Sequence, residues 1–141
     1  MRAAGLTLLL MLASTPVLAQ TQTAAAPAKT PVGSGAGNPA RGALLVASRQ
    51  QGLCGLCHAL PGQPDHLQGT LGPPLAGVGM RYSADDLRQH LLTPERFNPD
   101  SVMPAYGRSA GLTRVASALQ GRALLAPAQI DDVVAYLASL R

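Results

Sequence analysis

The chain of 141 residues has no tryptophan, and its aromatic side chains are only Tyr82, Phe97, Tyr106 and Tyr136. A small domain buries a modest share of its surface. A core so short of large rings therefore needs some other bulky apolar body at its centre. Cysteine is almost as scarce: Cys54 and Cys57 are the only two, which leaves a zinc centre without its second pair of ligands. No alternating strand-like run flanks that pair, so the βαβ frame of a thioredoxin-like dithiol is missing. Internal repeats, blocks of like charge and glycine-rich phosphate loops are absent too. Lys and Arg outnumber Asp and Glu by 11 to 7, but the basic residues are spread along the chain without an aromatic reading surface, which argues against nucleic-acid binding.

What the chain does have is Cys54-Gly55-Leu56-Cys57-His58. The C-x-x-C-H spacing is that of covalent attachment of a c-type haem. Each thiol adds to one haem vinyl group to make a thioether, and the adjacent imidazole lies beneath the iron as an axial ligand. Three positions thus fix the plane, the rotation and one axial bond of the group. A structural disulfide and a redox dithiol are the competing readings of the same two cysteines. A haem would also supply the bulky apolar body that the core lacks.

The amino terminus carries a second signal. Met1 and Arg2 give a short basic start, Leu6 to Leu12 is apolar, and Val17-Leu18-Ala19 fits a cleavage site. This pattern predicts a secretory signal peptide over residues 1–19, too short to span a bilayer. Export agrees with a c-type haem, whose attachment in bacteria is completed outside the cytoplasmic membrane, and so a periplasmic location is expected, with no membrane insertion after cleavage. Residues 20–37 are rich in Ala, Thr, Pro and Gly and are expected to form a disordered tether, because they lack the apolar side chains that offset ordering. One folded domain is expected over residues 38–141.

Within that domain the signals are helical. Asn38 with Pro39 opens a helix whose apolar side is Ala43, Leu44, Val46 and Ala47 and which ends by Gly52. Ser83 with Asp86 makes a capping box, Tyr82 can staple to Leu87, and Pro94 stops that helix. Pro127 lies near the start of a third, in which Ile130, Val133, Val134, Leu137 and Leu140 recur at helical spacing. The expected fold is all-α, with about three to five helices around the cofactor.

The order of helix, C-x-x-C-H, long loop, capped helix, methionine loop and amphipathic helix resembles a class I cytochrome c. The sixth iron ligand must come from a loop far enough past His58 to wrap the macrocycle. Met103 follows His58 by 45 residues, in a loop stiffened by Pro99 and Pro104. Met80, directly before the capped helix, is expected to be a packing residue. His66 sits in a polar loop and His90 beside polar neighbours on a helix, as surface or boundary histidines do. The predicted haem-binding set is therefore Cys54, Cys57, His58 and Met103, with His58 and Met103 on the iron and no catalytic residue. Gly72-Pro73-Pro74-Leu75 reads equally as a plain turn or, by the resemblance, as the loop whose proline-region carbonyl accepts the Nδ1 proton of His58.

A closer resemblance lies in Cys57-His58-Ala59-Leu60-Pro61-Gly62, Arg81-Tyr82, Met103-Pro104-Ala105-Tyr106, Gly111-Leu112-Thr113-Arg114-Val115-Ala116 and Ile130-Asp131-Asp132-Val133-Val134-Ala135-Tyr136-Leu137. Together and in this order they resemble the SoxX family, the small mono-haem subunits of the SoxAX cytochromes of thiosulfate oxidation. The resemblance implies one covalently bound haem c and a larger SoxA-like partner subunit in a heterodimer. It further implies a carrier protein, SoxY, whose cysteine receives thiosulfate, and a soluble cytochrome that accepts the electrons. A free electron-shuttling cytochrome and a haem-free dithiol protein are the alternatives. Arg108, Arg114 and Arg122 follow Met103 without evident compensating acids; they could steer an acidic partner or simply form a solvated face.

Overall fold

The backbone at Asn38 is extended, its side chain accepts the Arg41 N–H at 3.0 Å, and Pro39 takes the first helical position of α1 (Pro39–Ala47). The computed structural model describes residues 36–141; the expected signal peptide, 1–19, and nearly all of the expected tether, 20–37, lie outside the described residues. Helix α1 stops at Ser48, short of Gly52, because the Ser48 hydroxyl accepts the N–H groups of Gln50 and Gln51 at 3.3 and 3.1 Å. Such local side-chain bonds compete with the helix ladder. The buried face of α1 is Gly42, Leu45 and Val46. Leu44, expected inside, is 74% exposed, since it lies a quarter-turn from Leu45 and away from the partner helix.

A short helix, α2 (Val78–Arg81), was not anticipated. It buries Val78 and leaves Met80 67% exposed, which corrects the expectation that Met80 packs: one turn can turn only one of the two inward. Helix α3 (Ala84–Leu92) begins with the expected capping box. The Asp86 N–H donates to Ser83 Oγ at 3.1 Å and the Ser83 N–H to Asp86 Oδ2 at 3.2 Å. Leu87 and Leu91 are its buried side chains, and Thr93 ends it before Pro94.

Helix α4 (Pro127–Ser139) buries Ile130, Val133, Val134 and Leu137 as its spacing predicts, each worth roughly 1.5–3 kcal/mol of transfer free energy. It crosses α1 and touches α2 and α3, and so is the common wall of the core. At the crossing the backbones come so close that a Cβ on Gly42 would overlap the Asp132 carbonyl. The crossing is locked by a polar contact: Asp132, 5% exposed, accepts the Asn38 N–H at 2.6 Å and Arg41 Nε and Nη2 at 2.7 and 2.8 Å. Among the described residues there are four α-helices and no strand, so the fold is all-α, with short 3₁₀ turns in the long connections.

Candidate cofactor crevice

The C-x-x-C-H segment leaves α1 through Leu53, whose φ of 60° puts a non-glycine residue in the left-handed region, a conformation that costs roughly 1–3 kcal/mol. It is held there by the Leu53 N–H on Ser48 O at 2.9 Å. The chain then curls through a 3₁₀ turn, Cys54–Leu56, with the N–H groups of Cys57 and His58 both on Cys54 O at 3.1 and 2.9 Å. The curl brings Cys54, Cys57 and His58 to the border of one crevice. Both thiols are free, and burial pushes the Cys54 thiol above its ordinary range.

His58 Nδ1 lies 2.7 Å from Pro73 O. A carbonyl only accepts, so Nδ1 is the donor, and in the neutral ring the lone pair lies on Nε2. Of the two readings of Gly72-Pro73-Pro74-Leu75, the structure has the acceptor loop. Gly72 passes under the ring, where a Cβ would overlap the imidazole. The loop is strapped on both sides: Gly72 N–H donates to Cys57 O and Leu75 N–H to Ala59 O, while Arg81 Nη2 and Nη1 donate to Pro74 O and Ala76 O at 2.7 and 2.8 Å. The ring that borders the crevice is therefore oriented by backbone that is itself fixed.

Met103 forms part of the crevice lining and packs, half-buried, against the core. Its N–H donates to Ser101 Oγ at 3.2 Å. Three residues on, Tyr106 closes the loop: its N–H donates to Leu91 O at 2.8 Å, its carbonyl accepts the Leu125 N–H at 3.0 Å, and its hydroxyl donates to Gly52 O at 2.6 Å. That phenol is 3% exposed, and burial raises its pKa far above the ordinary value. One side chain thus pins the methionine loop to the residue two before Cys54.

Two adjoining cavities of about 160 and 450 Å³ share the walls Cys54, His58, Pro73, His90, Met103 and Tyr106. The four predicted site residues therefore surround one space. Met80 and His66 border neither cavity, and His66 is exposed in a 3₁₀ turn, Asp65–Leu67. Among the described residues no three His, Cys, Asp or Glu side chains converge as a metal site. The donor set fits a haem: two thiols at the attachment spacing, an imidazole with Nδ1 engaged, and a thioether, all around a largely apolar space.

The sequence reading missed three elements. Arg81 doubles as a strap of the proline loop; no motif announces it. His90, half-buried, stacks on Phe97 with ring centroids 3.7 Å apart and planes 13° from parallel, and Tyr82 tilts against the same imidazole at 4.8 Å. The helical offset from Leu87 to His90 was the available signal, since it puts both on the crevice side. Finally, Arg108 does have a compensating acid, Glu95, an exposed pair of small energetic worth.

The Cytochrome c family model matches residues 39–141, the whole of the four-helix domain. The chain belongs to the cytochrome c family. Within that class it is similar to the solved structure of SoxXA from P. pantotrophus, at 32% identity and a TM-score of 0.67, covering 75% of this chain and 83% of the other. This likeness supports a SoxX-type cytochrome with covalently bound haem c. No curated protein matches the chain.

Proposed function

We propose that the chain is a periplasmic cytochrome with a single haem, the electron-accepting small subunit of a SoxAX-type heterodimer that oxidatively joins thiosulfate to a carrier-protein cysteine. In this reading residues 1–19 are the export signal and 20–37 a tether. Cys54 and Cys57 form the two thioethers, His58 binds iron through Nε2, and Met103 completes the coordination. The observation that carries it is the convergence of these four side chains on one apolar crevice in a chain similar to SoxXA.

When bound, the haem supplies a one-electron couple. The residues decide how that couple behaves. A soft thioether on one side favours the reduced state and moves the potential toward the upper part of the haem range, as an electron acceptor requires. The Pro73 carbonyl makes the His58 ring more basic and fixes its plane. With His58 and Met103 both holding the group, no place would be left there for substrate, and the sulfur chemistry would fall to the larger subunit. Leu71 and Val102, 72% and 75% exposed, border the crevice mouth. An apolar rim of this kind suits close approach of a partner's cofactor, both from the SoxA-like subunit that delivers electrons and to the soluble cytochrome that removes them; SoxY is met through the complex.

The test is purification of the tagged chain from its native periplasm during growth on thiosulfate, with mass, partner chains and visible spectrum recorded together. A coloured heterodimer with a larger cytochrome is the expected result. A coloured monomer would replace this reading with that of a free electron carrier, and a colourless chain would remove the haem.

A further inference from the structure

We propose that His90 is a positioning residue for the sixth iron ligand, acting through Phe97 as a clamp on the loop that carries Met103. The inference rests on the reading of Met103 as that ligand. It begins with the way the loop is held. Residues 98–103 make their backbone-directed hydrogen bonds locally: Asn98 N–H to Pro94 O, Asp100 N–H to Asn98 Oδ1, Ser101 N–H to Asn98 O and Met103 N–H to Ser101 Oγ. Only the first reaches back out of the loop, to the carbonyl of buried Pro94 in the 3₁₀ turn (Pro94–Arg96) that follows α3. The loop's attachments lie at its two ends. Behind Met103, Tyr106 is bonded to Leu91 and Gly52. Ahead of it, Phe97 lies flat on the His90 ring.

His90 is well placed to bear that load. Its Nδ1 is 2.8 Å from Asp86 O, and since a carbonyl only accepts, Nδ1 donates and the ring is fixed about its own helix. Leu87 and Leu91 beside it are buried at 4% and 3% exposure, so α3 gives it a rigid base, and the Tyr82 ring lies tilted against it at 4.8 Å. Phe97 itself is 45% exposed; burial alone does not hold it, and while its N–H is bonded to Pro94 O at 3.1 Å, its ring is held by the stack. His90, Phe97 and Met103 all border the 450 Å³ cavity. Loss of the stack would leave the leading end of the loop held only by the Phe97 and Asn98 N–H groups on Pro94 O, and let the thioether leave more often, with the fold and the trailing anchor intact.

The experiment uses the ferric holoprotein and measures two things: the weak red-edge charge-transfer absorption that a thioether–iron(III) bond produces, and the rate at which added imidazole binds, which reports how often the sixth position opens. In H90A that rate should rise about two- to tenfold, the size of one aromatic pair. In H90F, which keeps a stackable ring and loses both ring nitrogens, it should return to within about twofold of the parent. F97A, at an exposed position, should match H90A, and the double variant should add little to either alone, as partners in one contact do. An unchanged rate in H90A, or an H90F as fast as H90A, overturns the clamp. Absence of the red-edge band from the parent protein would instead overturn the assignment of Met103, and the clamp with it.

Discussion

The crossing of α1 with α4 and the crevice beside it are built by different means. At the crossing, short-range signals do most of the work: an Asn-Pro start, an apolar repeat along α4, and a glycine where two backbones meet. At the crevice, side chains reach backbone carbonyls of neighbouring loops. His58 finds Pro73, Tyr106 finds Gly52, and Arg81 finds Pro74 and Ala76. The helices thus supply a frame whose stability is mostly apolar burial, whereas the loops supply orientation through single hydrogen bonds, each worth about 1 kcal/mol net. It follows that the two regions can be damaged separately, one losing stability and the other losing chemistry.

The largest separation is expected at the two methionines. Met103→Ala removes a proposed ligand and should lower the reduction potential by more than about 100 mV, within the ~0.8 V over which axial ligands act. Added imidazole should then bind more readily, as ligand titrations of the ferric protein would show. Met80→Ala, on the open face of α2, should leave both unchanged. The reverse outcome would exchange the two assignments.

That contrast also shows how far the chain could be read in advance. The caps at Asn38 and Ser83, the buried set on α4 and the placement of Cys54, Cys57, His58 and Met103 around one crevice all follow from local spacing or loop length. What escaped was set by contacts distant in sequence. Leu44 and Leu45 are adjacent and both apolar, and only the position of α4 decides which is buried. Asp132 reads as a solvent-facing helix residue until Arg41 and the Asn38 N–H arrive from the other end of the domain. The His90–Phe97 stack joins a helix to the turn beyond it, and neither residue announces the other.

A substitution in the frame should give the opposite pattern from the methionines. Gly42→Val sets a branched side chain against the Asp132 carbonyl, where neither backbone can retreat without opening the core. Overpacking of this kind costs about 1–3 kcal/mol and occasionally more, and the upper end is expected. Denaturant unfolding of the holoprotein should show the loss. The surviving folded protein should keep the visible spectrum and potential of the parent, because no crevice wall includes Gly42.

The smallest of the three effects is conditional on pH. Arg41, hydrogen-bonded to the Asp132 carboxylate, holds it below its usual range, with the Asn38 N–H adding to the shift. The charged form is therefore favoured in the folded state relative to the unfolded one. Stability from this source is fully present above the unfolded value, about 4, and is lost as pH falls through the depressed folded value. Asp132→Asn removes the charge and should cost roughly 1.5–3 kcal/mol near neutral pH, the worth of a charged hydrogen bond. The gap between variant and parent should then narrow below about pH 4. Asp86, held low by the Ser83 hydroxyl and N–H, and Glu95, held low by its own backbone N–H and then by Arg108, remain in both proteins and cancel in the difference. Denaturation curves of the two holoproteins from neutral pH into the acid range would measure that gap. A gap constant down to the acid limb would mean that Asp132 serves the crossing by shape and neutral hydrogen bonding rather than by its charge.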